Sequence, residues 1–242
     1  MMSKRISILV IAALIAVPAV TGQSSGSNSE MSIEEAYLQE AMEMMIIREN
    51  SRASSREQKL IALEYIGSAL ERGNTNEEIR QTLEYLSLEG THNQTRERGR
   101  LMNDYPEVRR EAVRHLGTVG TPEAKRALIR ICDTEREPMV LQEALKSLGH
   151  IATDNDEDSI TAIIWVANRF NNTTAPDNLI ALAAVDSLDR IAARNNGLNN
   201  AYALQVIVRI AEGAYAMPVK ERARQLLVDL RRYIAQGRSQ SQ

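Results

Sequence analysis

Residues 105–120 read YPEVRREAVRHLGTVG, and residues 137–151 read EPMVLQEALKSLGHI. At a single offset of 32 positions, Pro106, Val108, Ala112, Val113, Leu116, Gly117 and Val119 correspond to Pro138, Val140, Ala144, Leu145, Leu148, Gly149 and Ile151. Apolar residues at this spacing share one face of a helix. One helix written twice at a fixed interval marks a repeat array.

The pattern extends in both directions. Ile180, Ala184, Val185, Leu188 and Ile191 repeat the apolar set without the glycine, Val219, Ala223 and Leu227 begin a further copy, and Ala62, Leu63, Ile66 and Gly67 form a weaker one upstream. About five copies at irregular periods of roughly 32 to 50 residues fall in the range of helical solenoids. Each copy is followed by a second helical segment with its own start signal. Thr75 with Glu78 has capping-box spacing, Thr121 is followed by Pro122, and DNDED and NN precede the later two. The spacing predicts paired helices over 55–72 with 75–88, 106–118 with 122–132, 138–152 with 158–170 and 177–194 with 200–212, then a last helix at 218–235. The longer loops fall at 90–104 and 171–175. One such pair cannot bury its apolar face alone, so neighbours must stack.

Upstream of the array, Ser32 and Glu35 form a capping box that opens a helix. Its Ile33, Ala36, Tyr37, Ala41, Met44 and Met45 share one face, as expected of a cap over the open end. The chain starts with the basic MMSKR and an apolar run from Ile6 to Val20, with Val20 and Gly22 as small residues around a cleavage point. That is the grammar of a secretory signal peptide. The run is shorter than the roughly 20 apolar residues of a bilayer span, and Pro18 interrupts it. The expected organisation is therefore a signal peptide at 1–22, a polar linker at 23–30, an N-terminal capping helix at 31–50, the repeat array at 51–235 and a disordered tail at 236–242.

Only 4% of residues are aromatic, and the remainder favours helix over sandwich or barrel. The net charge of −3 becomes −5 once cleavage removes Lys4 and Arg5, which argues against a nucleic-acid binder. The one cysteine, Cys132, cannot form an internal disulfide and reads as a small buried hydrophobe.

Pro106-Glu107-Val108-Arg109-Arg110-Glu111-Ala112, followed by Leu116-Gly117 and Gly120, resembles a HEAT repeat, in which a P-x-V-R-x-x-A helix precedes L-G-x-x-G. The second copy keeps Pro138, Val140, Ala144, Leu148 and Gly149 but has Leu141 in place of the arginine. The resemblance implies an all-α fold, a right-handed α-solenoid of stacked antiparallel helix pairs of the HEAT/armadillo kind. It also implies a protein that binds other macromolecules, with no shared catalytic residues.

Candidate chemistry is thin. Asp154, Asp156 and Asp158 have EF-hand spacing, but Ser159 replaces the glycine and Trp165 the closing glutamate, so an acidic helix start is the better reading. His92, His115 and His150 lack metal-ligand spacing, and no nucleophile elbow or phosphate loop occurs. The expectation is no catalytic residue, no metal and no cofactor.

The second helices line the concave face in the solenoids this chain resembles. Aligning Leu128, Ile164 and Val208 as their core-facing positions turns Trp165 outward, with Ile129, Ala162 and Val206 around it and Arg126, Arg169 and Arg209 nearby. This resembles an apolar anchor in a cationic surround. The expected function is an exported, periplasmic or secreted, non-enzymatic scaffold that binds a partner protein or peptide on that face, without nucleic acid or a membrane span after cleavage. Two alternatives stand beside it: an enzyme such as a lyase on a helical-repeat body, and a structural subunit that oligomerises through the Met-rich N-terminal helix.

Overall fold

The computed structural model describes residues 32–153, 156–171 and 175–240, with side chains except at Ile33, Ala36 and 234–240. The expected signal peptide and linker, and Asp154 of the acidic run, lie outside the described residues. The helices are α1 (Ile33–Arg52), α2 (Arg56–Glu71), α3 (Glu77–Ser87), α4 (Pro106–Val119), α5 (Pro122–Thr134), α6 (Pro138–Ile151), α7 (Glu157–Asn171), α8 (Asn178–Asn195), α9 (Ala201–Glu212) and α10 (Met217–Gln240). They form the expected α-solenoid. First helices α2, α4, α6, α8 and α10 pack side by side in one layer, second helices α3, α5, α7 and α9 in the other, and α1 lies on α2. Among the described residues, no helix is long and apolar enough to cross a membrane.

The helix starts follow the sequence signals with one exception. Ser32 and Glu35 make the capping box of α1, Thr121 caps α5 with Pro122 in its first turn, and Pro106 and Pro138 open α4 and α6. In α3 the cap is Asn76, whose side chain accepts from the Ile79 amide at 2.8 Å, and not Thr75. Asp156 starts α7 by accepting from the Ser159 amide at 3.1 Å, and Lys125 of α5 ties it to the preceding repeat at 3.1 Å. Burial pushes the Asp156 carboxyl up, but these bonds outweigh it and hold it below the usual range. α10 continues to Gln240, past the expected end of the array at 235.

What makes the repeat stack is the approach between consecutive first helices. A Cβ on Gly117 would sit 2.6 Å from Ser147 Oγ, and one on Gly149 would sit 2.7 Å from Ser187 Cα. Each serine hydroxyl donates across the seam, Ser147 to the Val113 carbonyl at 3.2 Å and Ser187 to the Leu145 carbonyl at 2.7 Å. The two glycines thus serve close packing and not an early turn. One repeat upstream, His115 occupies the serine position and packs against Gly67. One repeat downstream, Asp189 stands where the glycine would be and receives Arg222 of α10 at 2.6 Å.

His115 carries a pH signature. Burial, then the Arg114 guanidinium, pull its pKa down to about 4. In the unfolded chain it titrates near 6.5. Between these values the unfolded state binds a proton that the fold refuses, so stability falls as pH drops through that window. We expect a loss of about 1–3 kcal/mol from this group. His115→Gln should flatten that part of the profile in denaturant titrations at pH 7, 5.5 and 4.

The linker between α3 and α4 departs from the expectation of a plain loop. It folds into a small antiparallel hairpin of β1 (Arg96–Glu97) and β2 (Arg100–Leu101), turned through Arg98 and Gly99 at positive φ. A buried charge network holds this segment on the array. Arg109 donates to Glu135 Oε2 at 2.7 Å, to Asp104 Oδ1 at 2.8 Å and to the Glu89 carbonyl at 3.0 Å. Lys59 donates to the Ser51 carbonyl at 2.9 Å and stands 3.1 Å from Glu89 Oε2, while Asn103 donates to Glu89 Oε1 at 2.7 Å. Glu135 in turn accepts from the Arg136 and Glu137 amides, which fixes the start of α6.

Cys132 is fully buried, as expected, and burial raises its thiol to about 12.

Candidate partner-binding face on the second helices

Each inner second helix is covered on three sides, by the first-helix layer beneath and by a second helix on either flank. Only a narrow stripe faces solvent. Leu83, Leu128, Ile163 and Ile207 are all fully buried and point to the core. Two positions further on, a rotation of about 200°, stand Tyr85, Arg130, Trp165 and Arg209, all exposed. These four form one row across α3, α5, α7 and α9, in which aromatic and guanidinium side chains alternate. Side chains of the row also bridge neighbouring helices: Arg130 reaches Glu84 of α3 at 3.3 Å, and Arg209 reaches Asn168 of α7, about one turn on from Trp165, at 2.9 Å.

Trp165 is 43% exposed, as expected for an anchor. The Arg169 guanidinium lies 5.0 Å from its ring centroid and 5.1 Å from that of Phe170, and it donates to the Glu135 carbonyl at 2.5 Å. Burial, then the neighbouring Arg136, lower the Arg169 pKa. The side chain is thus held as a planar backing for the indole, a cation–π contact that pre-sets its orientation.

The remaining predicted residues divide. Arg126 is exposed and paired with Glu123 at 2.8 Å, Arg209 is exposed, and Ile129 is half-buried against the core. Ala162 and Val206 are not part of the surface, being 5% and 1% exposed. The error is one of register. The core positions equivalent to Leu128 are Ile163 and Ile207, whereas Val208 is exposed and Ile164 half-buried. Helices flanked on both sides are apolar over a wide arc, so their periodicity does not single out the core direction. The residues missed were Arg130 and Tyr85 in the row, with Leu204 and Val208 exposed beside it on α9. The signal that finds them is the two-position offset from the buried leucine or isoleucine of each second helix.

Electrostatically the row is unbalanced. Among the described residues, Arg130 is neutralised by Glu84, while Arg169 and Arg209 have no ion pair. No group of three His, Cys, Asp or Glu among them could hold a metal ion.

Residues 100–164 match the family model described as HEAT repeats. Comparison with curated proteins gave no match. Among solved structures, the chain is similar to one described as the complex of CpcE and CpcF of phycocyanin lyase from Nostoc sp. PCC7120. The TM-score is 0.53 and the identity 18%, over 90% of this chain and 70% of that one. This likeness corrects the expectation that the array is not an enzyme. The same fold builds a protein described as a lyase, so a stack of HEAT-like helix pairs does not mark a chain as non-enzymatic. That structure is also a complex of two different proteins. The match over 100–164 and the helix pairing along the array together give an α-solenoid of stacked helix pairs that carries HEAT repeats in residues 100–164.

Proposed function

We propose that this protein binds a segment of a partner protein along the Tyr85–Arg130–Trp165–Arg209 row. The observation that carries the reading is the row itself, with Trp165 oriented by Arg169 at its centre. Neighbouring packed helices lie about 8–10 Å apart. A polyproline-type extended chain has three residues per turn at 3.1 Å each, so every third side chain returns to one face after about 9 Å. Such a segment places successive third residues over successive second helices. Its proline or apolar residues meet Tyr85 and Trp165, and its acidic residues meet Arg130 and Arg209.

The likeness to a two-protein complex supports partner binding in the same sense. The basic start and the apolar run from Ile6 to Val20 support export, placing the partner in the cell envelope or outside the cell.

Selection from a displayed library of random twelve-residue peptides tests the reading. Enriched sequences should carry acidic and apolar residues at alternating three-residue intervals. Trp165→Ala should weaken the selected peptide by roughly 30-fold or more, as for a central aromatic anchor, while lowering stability by only about 1 kcal/mol. Enrichment without this period, or binding indifferent to Trp165, rejects the proposal.

A further inference from the structure

We infer that the cleft between the α1–α2 turn and the α3–α4 linker is a saccharide-binding site, in which a sugar hydroxyl bridges Lys59 and Glu89. The cleft has a volume of about 650 Å³, within the range of small-molecule sites. Its wall includes a buried ion pair. Glu89 is 3% and Lys59 1% exposed, and charges so buried need their remaining hydrogen-bonding positions filled. Glu89 Oε1 accepts from Asn103 at 2.7 Å, but among the described residues no donor hydrogen-bonds to its buried Oε2. Lys59 offsets the charge from 3.1 Å, and its Nζ lies 5.4 Å from the centroid of the Tyr85 ring, which also lines the cleft. Of its three N–H donors, one goes to the Ser51 carbonyl at 2.9 Å. The pair is thus balanced in charge but short of hydrogen bonds, at the wall of an open cleft.

That deficit selects the ligand. An ammonium group would satisfy Oε2 but meet Lys59, and a carboxylate or phosphate would satisfy Lys59 but meet Glu89. A hydroxyl serves both, donating to Oε2 and accepting from Nζ. The rest of the lining calls for the same kind of group. Arg52 and Lys59 are matched by Glu89 and Glu97, so the cleft carries no net charge to hold an ion. The Arg52 guanidinium, the Tyr85 hydroxyl, the His92 ring and Asn93 Oδ1 mix donors with acceptors, and none of them has a hydrogen-bond partner among the described residues. A ring of neighbouring hydroxyls presents a donor and an acceptor at each carbon. Tyr85 and Tyr105, both in the lining, offer apolar ring faces to its C–H side. The cleft shares only Tyr85 with the second-helix row, and the inference does not depend on what the row binds.

NMR titration of the protein, in the form its cells accumulate, with maltose, cellobiose and N,N′-diacetylchitobiose tests this, each sugar taken to about 10 mM. The three histidines report position. With at least one sugar the ring signals of His92, which lines the cleft, should move saturably, while those of His115 on α4 and His150 on α6 stay in place. Glu89→Gln should weaken that sugar at least tenfold, as loss of a hydrogen bond to a charged group does. Because this variant leaves Lys59 buried without its partner, Tyr85→Ala, at an exposed position, supplies a second reading: a loss of at least tenfold with an unchanged far-UV spectrum. No saturable shift with any of the three sugars overturns the inference. So does a His92 shift with glycine or inorganic phosphate that no sugar reproduces, which would make the cleft a site for ions. Sugar binding that both variants retain overturns it as well.

Discussion

Replacing Arg109 with leucine should lower stability by about 3–5 kcal/mol, the cost of leaving one member of a buried ion pair uncompensated. Arg109 and Glu135 are both almost fully buried, and their bond of 2.7 Å joins the start of α4 to the start of α6. The same guanidinium also serves Asp104 and the Glu89 carbonyl, so its loss releases the segment that carries the hairpin. For a chain of this length the melting temperature should fall by on the order of 10 °C. Adding Glu135→Gln should restore much of the loss, because the charge is removed while an oxygen still accepts from the Arg136 and Glu137 amides. A double-mutant cycle by thermal denaturation measures both. A single-variant cost under about 1 kcal/mol would show that the pair is solvated.

Gly149→Val should be comparably severe, at about 3 kcal/mol or more. The new Cβ would meet Ser187 Cα and Cβ, both at 2.7 Å. Backbone cannot rotate away as a side-chain tip can, so α6 and α8 must separate. Because each repeat in such an array touches only its neighbours, the damage stays local. Unfolding should therefore split into two steps, one for each side of the α6–α8 seam, in circular dichroism melts. At Gly117 the obstruction is mainly the Ser147 side chain, at 2.6 and 2.7 Å. Gly117→Ala should accordingly be rescued in part by Ser147→Gly, and a Gly149 variant by no change at the Ser187 side chain alone.

These contacts also explain what could be read in advance. The proline, alanine and glycine positions of 105–151 predict the helix pairing because each of them does backbone work: prolines begin helices, and the glycines sit where two helices nearly touch. The start signals at Ser32 and Thr121 act within four residues and were legible for the same reason. Arg109 stood out as part of the motif, but its partner Glu135 lies 26 positions away, and no local pattern connects them. The Lys59–Glu89 pair is silent for the same reason, each residue being an ordinary charge until α2 and the α3–α4 linker meet. Trp165 was correctly turned outward, yet Ala162 and Val206 were misplaced by a single residue of register. A helix covered on three sides carries too much apolar surface for its periodicity to fix the remaining open side. α1 failed in the opposite way. Among the described side chains, Tyr37, Ala41 and Met45 of the face expected to lie on the array are exposed, while Ile47 is buried and Met44 packs partly against the core.

The central functional claim is that the second-helix row receives a partner with Trp165 at its centre. Trp165 is the only tryptophan in the chain, so its emission reports on that position alone. Titrating the protein with a library-selected acidic peptide while recording tryptophan fluorescence is the most direct test. The expected result is a saturable blue shift as the indole is covered, with the midpoint moved at least tenfold higher in Arg209→Ala, whose charge has no ion pair among the described residues. A peptide that binds by an independent measurement yet leaves the Trp165 emission unchanged would contradict the claim, because its contact would then lie elsewhere on the array.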